Sequence, residues 1–164
     1  MKKYVVIVLL FITIIPLSAK PLRGTRALLE LGPKGSLYIG ENTRFGLGAE
    51  FVVHPLRTIG LRFDIAELSF GDYTMFYFNE LSMDALVYIP MQNVDPYVHA
   101  GFGIVSISNG GSSTVYSIRC GMGFIFQMKR GTGLFIEPGI IIAGNGDTDV
   151  VFRLSFGARF SMLK

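Results

Sequence analysis

Tryptophan is absent from the 164 residues, cysteine occurs once, histidine twice, and charged side chains make up only 16% of the chain. The single cysteine, Cys120, cannot close a disulfide within the chain, so stability has to come from packing and hydrogen bonds. Its place within an apolar alternation gives it the part of a small apolar side chain. The two histidines, His54 and His99, form no His, Cys and carboxylate cluster with metal-ligand spacing. Neither stands with a serine and a carboxylate in the arrangement of a catalytic triad. Basic residues interleaved with aromatics, the mark of a nucleic-acid surface, are missing as well. Gly101-Phe102-Gly103 is followed by no helical pattern, which removes a phosphate-cradling loop. These absences lead to the expectation of a chain that is no enzyme, holds no metal or cofactor and binds no nucleic acid.

Long apolar runs are scarce too. The longest, Val5 to Leu17, is thirteen residues and contains Pro16, whereas a membrane-crossing helix needs about 20. With Lys2 and Lys3 before it and Leu17-Ser18-Ala19 after it, it reads as a secretory signal peptide, 1–19. Residues 20–164 then form one domain. Without Lys2 and Lys3, thirteen basic side chains face twelve acidic ones, so the basic character of the full chain belongs largely to the signal segment.

What the domain has in abundance is alternation. From Val151 to Met162 the side chains of Phe152, Leu154, Phe156, Ala158, Phe160 and Met162 are apolar, while Arg153, Ser155, Gly157, Arg159 and Ser161 between them are not. Successive side chains of a β-strand point to opposite faces, so this is a strand with one apolar side. The pattern predicts eight such strands, at about 26–39, 43–53, 58–69, 76–88, 97–107, 114–128, 132–143 and 148–162. His54-Pro55 is expected to end the second, and Gly32 to Gly35 to kink the first without changing its parity.

Glycine decides which face is inside. The apolar face includes Ala27, Leu31, Leu47, Phe63, Met83, Phe102, Ile118 and Ile140, too much bulk for the interior of an eight-stranded barrel. The opposite face carries Gly46, Gly48, Gly101, Gly103, Gly121, Gly123, Gly139 and Gly157, which let a sheet curve and leave room for long neighbours. The glycine face is therefore inside, and the apolar face points outward around the circumference. In water that surface would aggregate; in a bilayer it is what acyl chains require. A closed barrel also leaves no strand edge unpaired in hydrocarbon. The fold expected is all-β, a closed eight-stranded antiparallel up-and-down transmembrane barrel.

Parity turns a second set of side chains inward: Arg26, Lys34, Arg44, Arg62, Arg119, Arg153 and Arg159 against Glu30, Glu50, Asp64, Glu80, Asp84 and Glu137. A selective pore would show one sign; near balance predicts a salt-bridge network that fills the lumen. Glu67 and Asn79 are polar where parity assigns the lipid face. They are expected at the headgroups beside the loop between the third and fourth strands, with a small bulge as the alternative.

The segment PYVHAGFGIV, Pro96 to Val105, opens a strand with Pro-Tyr and sets glycines two apart, and VVFRLSFGARF follows near the C-terminus. In these segments the domain resembles the small eight-stranded outer-membrane β-barrels of diderm bacteria, the OmpA/OmpX-like superfamily. The resemblance implies a monomer in the bacterial outer membrane, with membrane lipid and the barrel-assembly machinery as partners. It places turns near 54–57, 91–95 and 129–131 in the periplasm and loops near 40–42, 71–74, 109–113 and 144–147 outside. The function expected is a non-catalytic structural or surface-interaction role. A minor channel or carrier for small solutes is the alternative, and a lipid-modifying barrel enzyme a further one. With no tryptophan, the interfacial girdles fall to Tyr77, Tyr116, Phe45 and Phe152 at one rim and Phe51, Phe126 and Phe160 at the other.

Overall fold

The strands form eight staves, each paired antiparallel with the next in the chain and the last with the first. The segments are β1 (Leu29–Ile39), β2 (Arg44–Leu56), β3 (Ile59–Phe70), β4 (Tyr77–Asn79), β5 (Leu81–Tyr88), β6 (Val94–Ser108), β7 (Ser112–Gln127), β8 (Thr132–Gly144) and β9 (Thr148–Leu163). β4 and β5 both pair with β3 on either side of residue 80, so together they are one stave of a closed eight-stranded ring. The structure is a computed structural model that describes residues 27–40, 43–70, 77–79, 81–91, 93–108, 112–128, 131–144 and 148–163. The expected signal peptide, 1–19, lies outside the described residues, as do Arg26 and Glu80.

Closure comes from the pairing of β1 with β9, from Leu31 opposite Phe160 to Ile39 opposite Phe152. Two strands start or end differently from their sequence pattern. β2 continues through His54-Pro55 to Leu56, because its register with β3 slips between Val53 and Leu56. Such a bulge tolerates a residue that cannot donate to the ladder, so Pro55 does not stop the strand. β6 begins at Val94, with Pro96 opposite Phe124, and the Pro96 carbonyl accepts the Ile89 N–H at 2.8 Å.

The two faces separate sharply. Phe102, Ile118, Ile142 and Val150 lie side by side across β6, β7, β8 and β9 and are 41–65% exposed. On the neighbouring register, Arg119 is 0% and Ile141 5% exposed. Ala27 departs from its expected outer position: it is buried and Leu28 is exposed instead. Both residues precede β1, which begins at Leu29, so its alternation does not extend to them.

Candidate functional site

Register sets the middle of the interior. Arg62 on β3 lies opposite Asp84 on β5, and both side chains are fully buried. Arg62 Nε donates to Asp84 Oδ2 at 2.9 Å and Nη1 to Glu137 Oε2 at 2.5 Å, while Nη1 is 3.6 Å from Glu50 Oε2. Its Nη2 donates to Asp84 as well. Glu137 on β8 also accepts the Tyr97 hydroxyl at 2.6 Å and Arg153 Nη2 at 2.9 Å. His99 stands beside the pair, Nδ1 3.4 Å from Arg62 Nη2 and Nε2 3.3 Å from Glu137 Oε1.

Toward the strand ends at Ile39 and Phe70, Asp64 gathers Lys34 Nζ at 2.7 Å, Arg119 Nη1 at 2.9 Å and the Ser82 hydroxyl at 3.1 Å. Arg119 Nη1 donates to Ser82 Oγ too. Lys34 is 3.3 Å from Glu67, whose carboxylate accepts from Ser36 at 3.4 Å and from the Tyr38 hydroxyl. Glu67 is thus 1% exposed and inside, not at the headgroups. The cause is the bulge: Ala49 pairs with Ala66 and Glu50 with Asp64, so Ile65 has no partner on β2 and two carboxylates three residues apart share one face. Gly46 makes this possible, because a Cβ there would occupy the space of the Glu67 carboxylate. Asn79 is paired opposite Glu67.

At the other end of the interior, near the termini, the chemistry changes. Val52, Leu86, Tyr88, Tyr97, Ile125 and Phe135 form an apolar floor in which none is more than 3% exposed. The Arg159 guanidinium lies over the rings of Phe135 and Tyr97, 4.7 and 5.4 Å from their centroids. Its Nε donates to Glu50 Oε1 at 2.5 Å and Nη1 to the Tyr88 hydroxyl at 3.1 Å. The ring of His54 sits 5.4 Å from that of Tyr88, with Nε2 3.8 Å from Glu30 Oε2. Parity already points these apolar side chains inward; attention to charge alone passes over them.

Of the thirteen charged residues assigned to the lumen, Glu30, Lys34, Glu50, Arg62, Asp64, Asp84, Arg119, Glu137, Arg153 and Arg159 are buried there. Arg44 is not: it pairs with Tyr38 at the beginning of β2 and is exposed, since the wall ends there. Glu67, Tyr38, Ser36, Tyr88 and Tyr97 join the network without having been assigned to it. The signal for Glu67 was its polar character at an apolar position.

Three solved structures share this architecture. The N-terminal β-barrel domain of Pseudomonas aeruginosa OprF matches 80% of this chain and 97% of its own, with a TM-score of 0.55 and 14% identity. Neisserial surface protein A matches 82% and 96%, with a TM-score of 0.59 and 14% identity. This is the fold of the small eight-stranded outer-membrane β-barrels. A de novo designed transmembrane β-barrel matches 86% of this chain and all of its own, at a TM-score of 0.51 and 15% identity. No protein-family model matches the sequence, and no curated protein does. The exterior suits an outer-membrane barrel: Tyr116, Phe45 and Phe152 are exposed toward one rim, Phe126 and Phe160 toward the other. Phe51 stacks on its direct cross-strand partner Phe63, ring centroids 4.8 Å apart, on the outer wall.

Proposed function

We propose that the protein is a non-catalytic integral barrel of the bacterial outer membrane, closed to solutes along its axis, with a structural or surface-interaction role. The observation that carries this reading is Arg62. Its guanidinium is met within 2.5 to 3.6 Å by carboxylates from β5, β8 and β2, staves on different sides of the ring. A barrel of this strand number has room for little more than its own side chains, and the aromatic floor lies across the same axis. His99 faces Arg62, Asp84 and Glu137, and His54 faces Glu30 and Tyr88, settings that hold ion pairs rather than activate a nucleophile. Its partners are the outer-membrane lipid around it and the assembly machinery that inserts it, and it works as a monomer.

Planar-bilayer recording of the purified, folded protein tests this. The expected result is no steady conductance. Steady conductance that disappears on charge substitution at Arg119 or Glu137 would favour a minor channel or carrier.

A further inference from the structure

The wall is not equally knitted all round. β8 and β9 face each other in unbroken register from Thr132 opposite Phe160 to Gly144 opposite Thr148. On both flanks of this hairpin the ladder is interrupted without any change of register. Between β1 and β9 it stops at Leu31 opposite Phe160 and resumes at Lys34 opposite Gly157, passing over Gly32 and Pro33. Between β7 and β8 it stops at Gly121 opposite Gly139 and resumes at Phe124 opposite Ile136, passing over Glu137 and Pro138. A third interruption, between β3 and the β4–β5 stave from Asp64 opposite Ser82 to Glu67 opposite Asn79, coincides with the bulge at Ile65.

Proline accounts for both breaks beside the hairpin. The Pro33 carbonyl points to Gly157 on β9 and the Pro138 carbonyl to Gly121 on β7, and a strand residue's N–H lies on the side of its own carbonyl, so the N–H that each lacks belongs to its broken side. Glycine brings the backbones close there: a Cβ on Gly157 would meet the Pro33 carbonyl, and one on Gly121 the Pro138 carbonyl. Over the first break the outer wall is hollowed into a groove of about 630 Å³, lined by Pro33, Gly35, Leu47, Phe156 and Ala158 and reaching Lys34. Besides the ladder that continues on either side of each break, the hairpin is tied to the remaining staves through the lumen: Glu137 to Arg62 and Tyr97, Arg159 to Glu50 and Tyr88.

We propose that the β8–β9 hairpin is a hinged stave, latched by these lumen ion pairs, which opens toward the lipid along its two proline breaks while its own ladder stays closed. An opened seam joins the lumen to the hydrocarbon layer, so it serves apolar or amphiphilic molecules and not ions in water. The charge network then acts on the wall as well as on the axis.

Residue-resolved amide exchange by NMR on the folded protein in micelles tests the stave. N–H groups of β9 that face β1, and of β7 that face β8, are expected to exchange about tenfold faster than those between β8 and β9. Pro33→Ala and Pro138→Ala return a donor and each slows exchange at the seam it borders, while Glu137→Gln speeds exchange at both seams and leaves the β2–β3 pairing unchanged. Equal exchange at the seams and within the hairpin overturns the proposal, as does seam exchange that neither proline variant slows. Should neither variant fold, the pattern of rates in the unmodified chain decides alone.

Discussion

Two layers of one lumen are equally buried and chemically opposite. Around Arg62 the interior is built from charges between 0% and 2% exposed; nearer the termini it is built from Val52, Leu86, Tyr88, Tyr97, Ile125 and Phe135, between 0% and 3%. The charged layer is a shared account in which Glu137 serves Arg62, Arg153 and Tyr97 at once, and Asp64 serves Lys34 and Arg119. A buried ion pair adds little net stability over an apolar pair of the same size, but removing one partner strands the other at high cost. The floor behaves as an ordinary core: each side chain stabilises through the area it covers, and a loss stays local. Arg159 belongs to both layers, its Nε on Glu50 and its flat face on Phe135.

The largest effect tests the shared layer. Glu137→Ala is expected to cost about 4 kcal/mol, because three buried donors lose an acceptor together; urea unfolding of the protein in lipid vesicles measures it. A loss below about 1 kcal/mol would mean that water replaces the carboxylate freely, and the contrast with the floor would collapse. Phe135→Ala comes next, at about 3 kcal/mol, the lower end for a buried phenylalanine because Arg159 can draw water into the space. The same unfolding curves rank the two, and a larger loss for Phe135→Ala would reverse the comparison.

The alternating pattern contains most of the fold. Apolar residues two apart, interrupted at 40–42 and 145–147, mark staves such as β8 and β9 and their outward faces within a residue or two. What parity does not contain is the extra residue of a bulge. Nothing in Asp64-Ile65-Ala66-Glu67 announces that Ile65 goes unpaired; one added residue reverses every later side chain, so Glu67 belongs to the lumen although counting from Arg62 puts it outside. His54-Pro55 was misleading for a related reason: proline stops a ladder only where its missing N–H is needed, and a register slip removes that need. The floor was legible by count but hidden by expectation, since apolar side chains on the inner face carry no charge to draw attention.

Two smaller changes sharpen the contrast between inner and outer faces. Ile118→Lys places a charge at a site 65% exposed on the outer wall. On a water-soluble barrel this change would be close to neutral; in a bilayer it is expected to cost about 2 kcal/mol, read from the urea midpoint in vesicles. No loss at all would remove Ile118 from the hydrocarbon layer.

The smallest effect is expected at Glu67. Glu67→Gln keeps the shape over Gly46 and a carbonyl acceptor for the Tyr38 hydroxyl, while its amide N–H can donate to the Ser36 hydroxyl, but it takes away the charge facing Lys34. Lys34 keeps Asp64, the nearer carboxylate at 2.7 Å against 3.3 Å, so the loss should be about 1 kcal/mol, a quarter of that for Glu137→Ala. The difference follows from position in the network, because both residues are buried to within 1% of each other. If Glu67→Gln proved as costly as Glu137→Ala, burial and not the number of shared partners would govern the charged layer. Lys34 would then depend on both carboxylates, and the bulge at Ile65 that turns Glu67 inward would be as important to stability as the Arg62 centre.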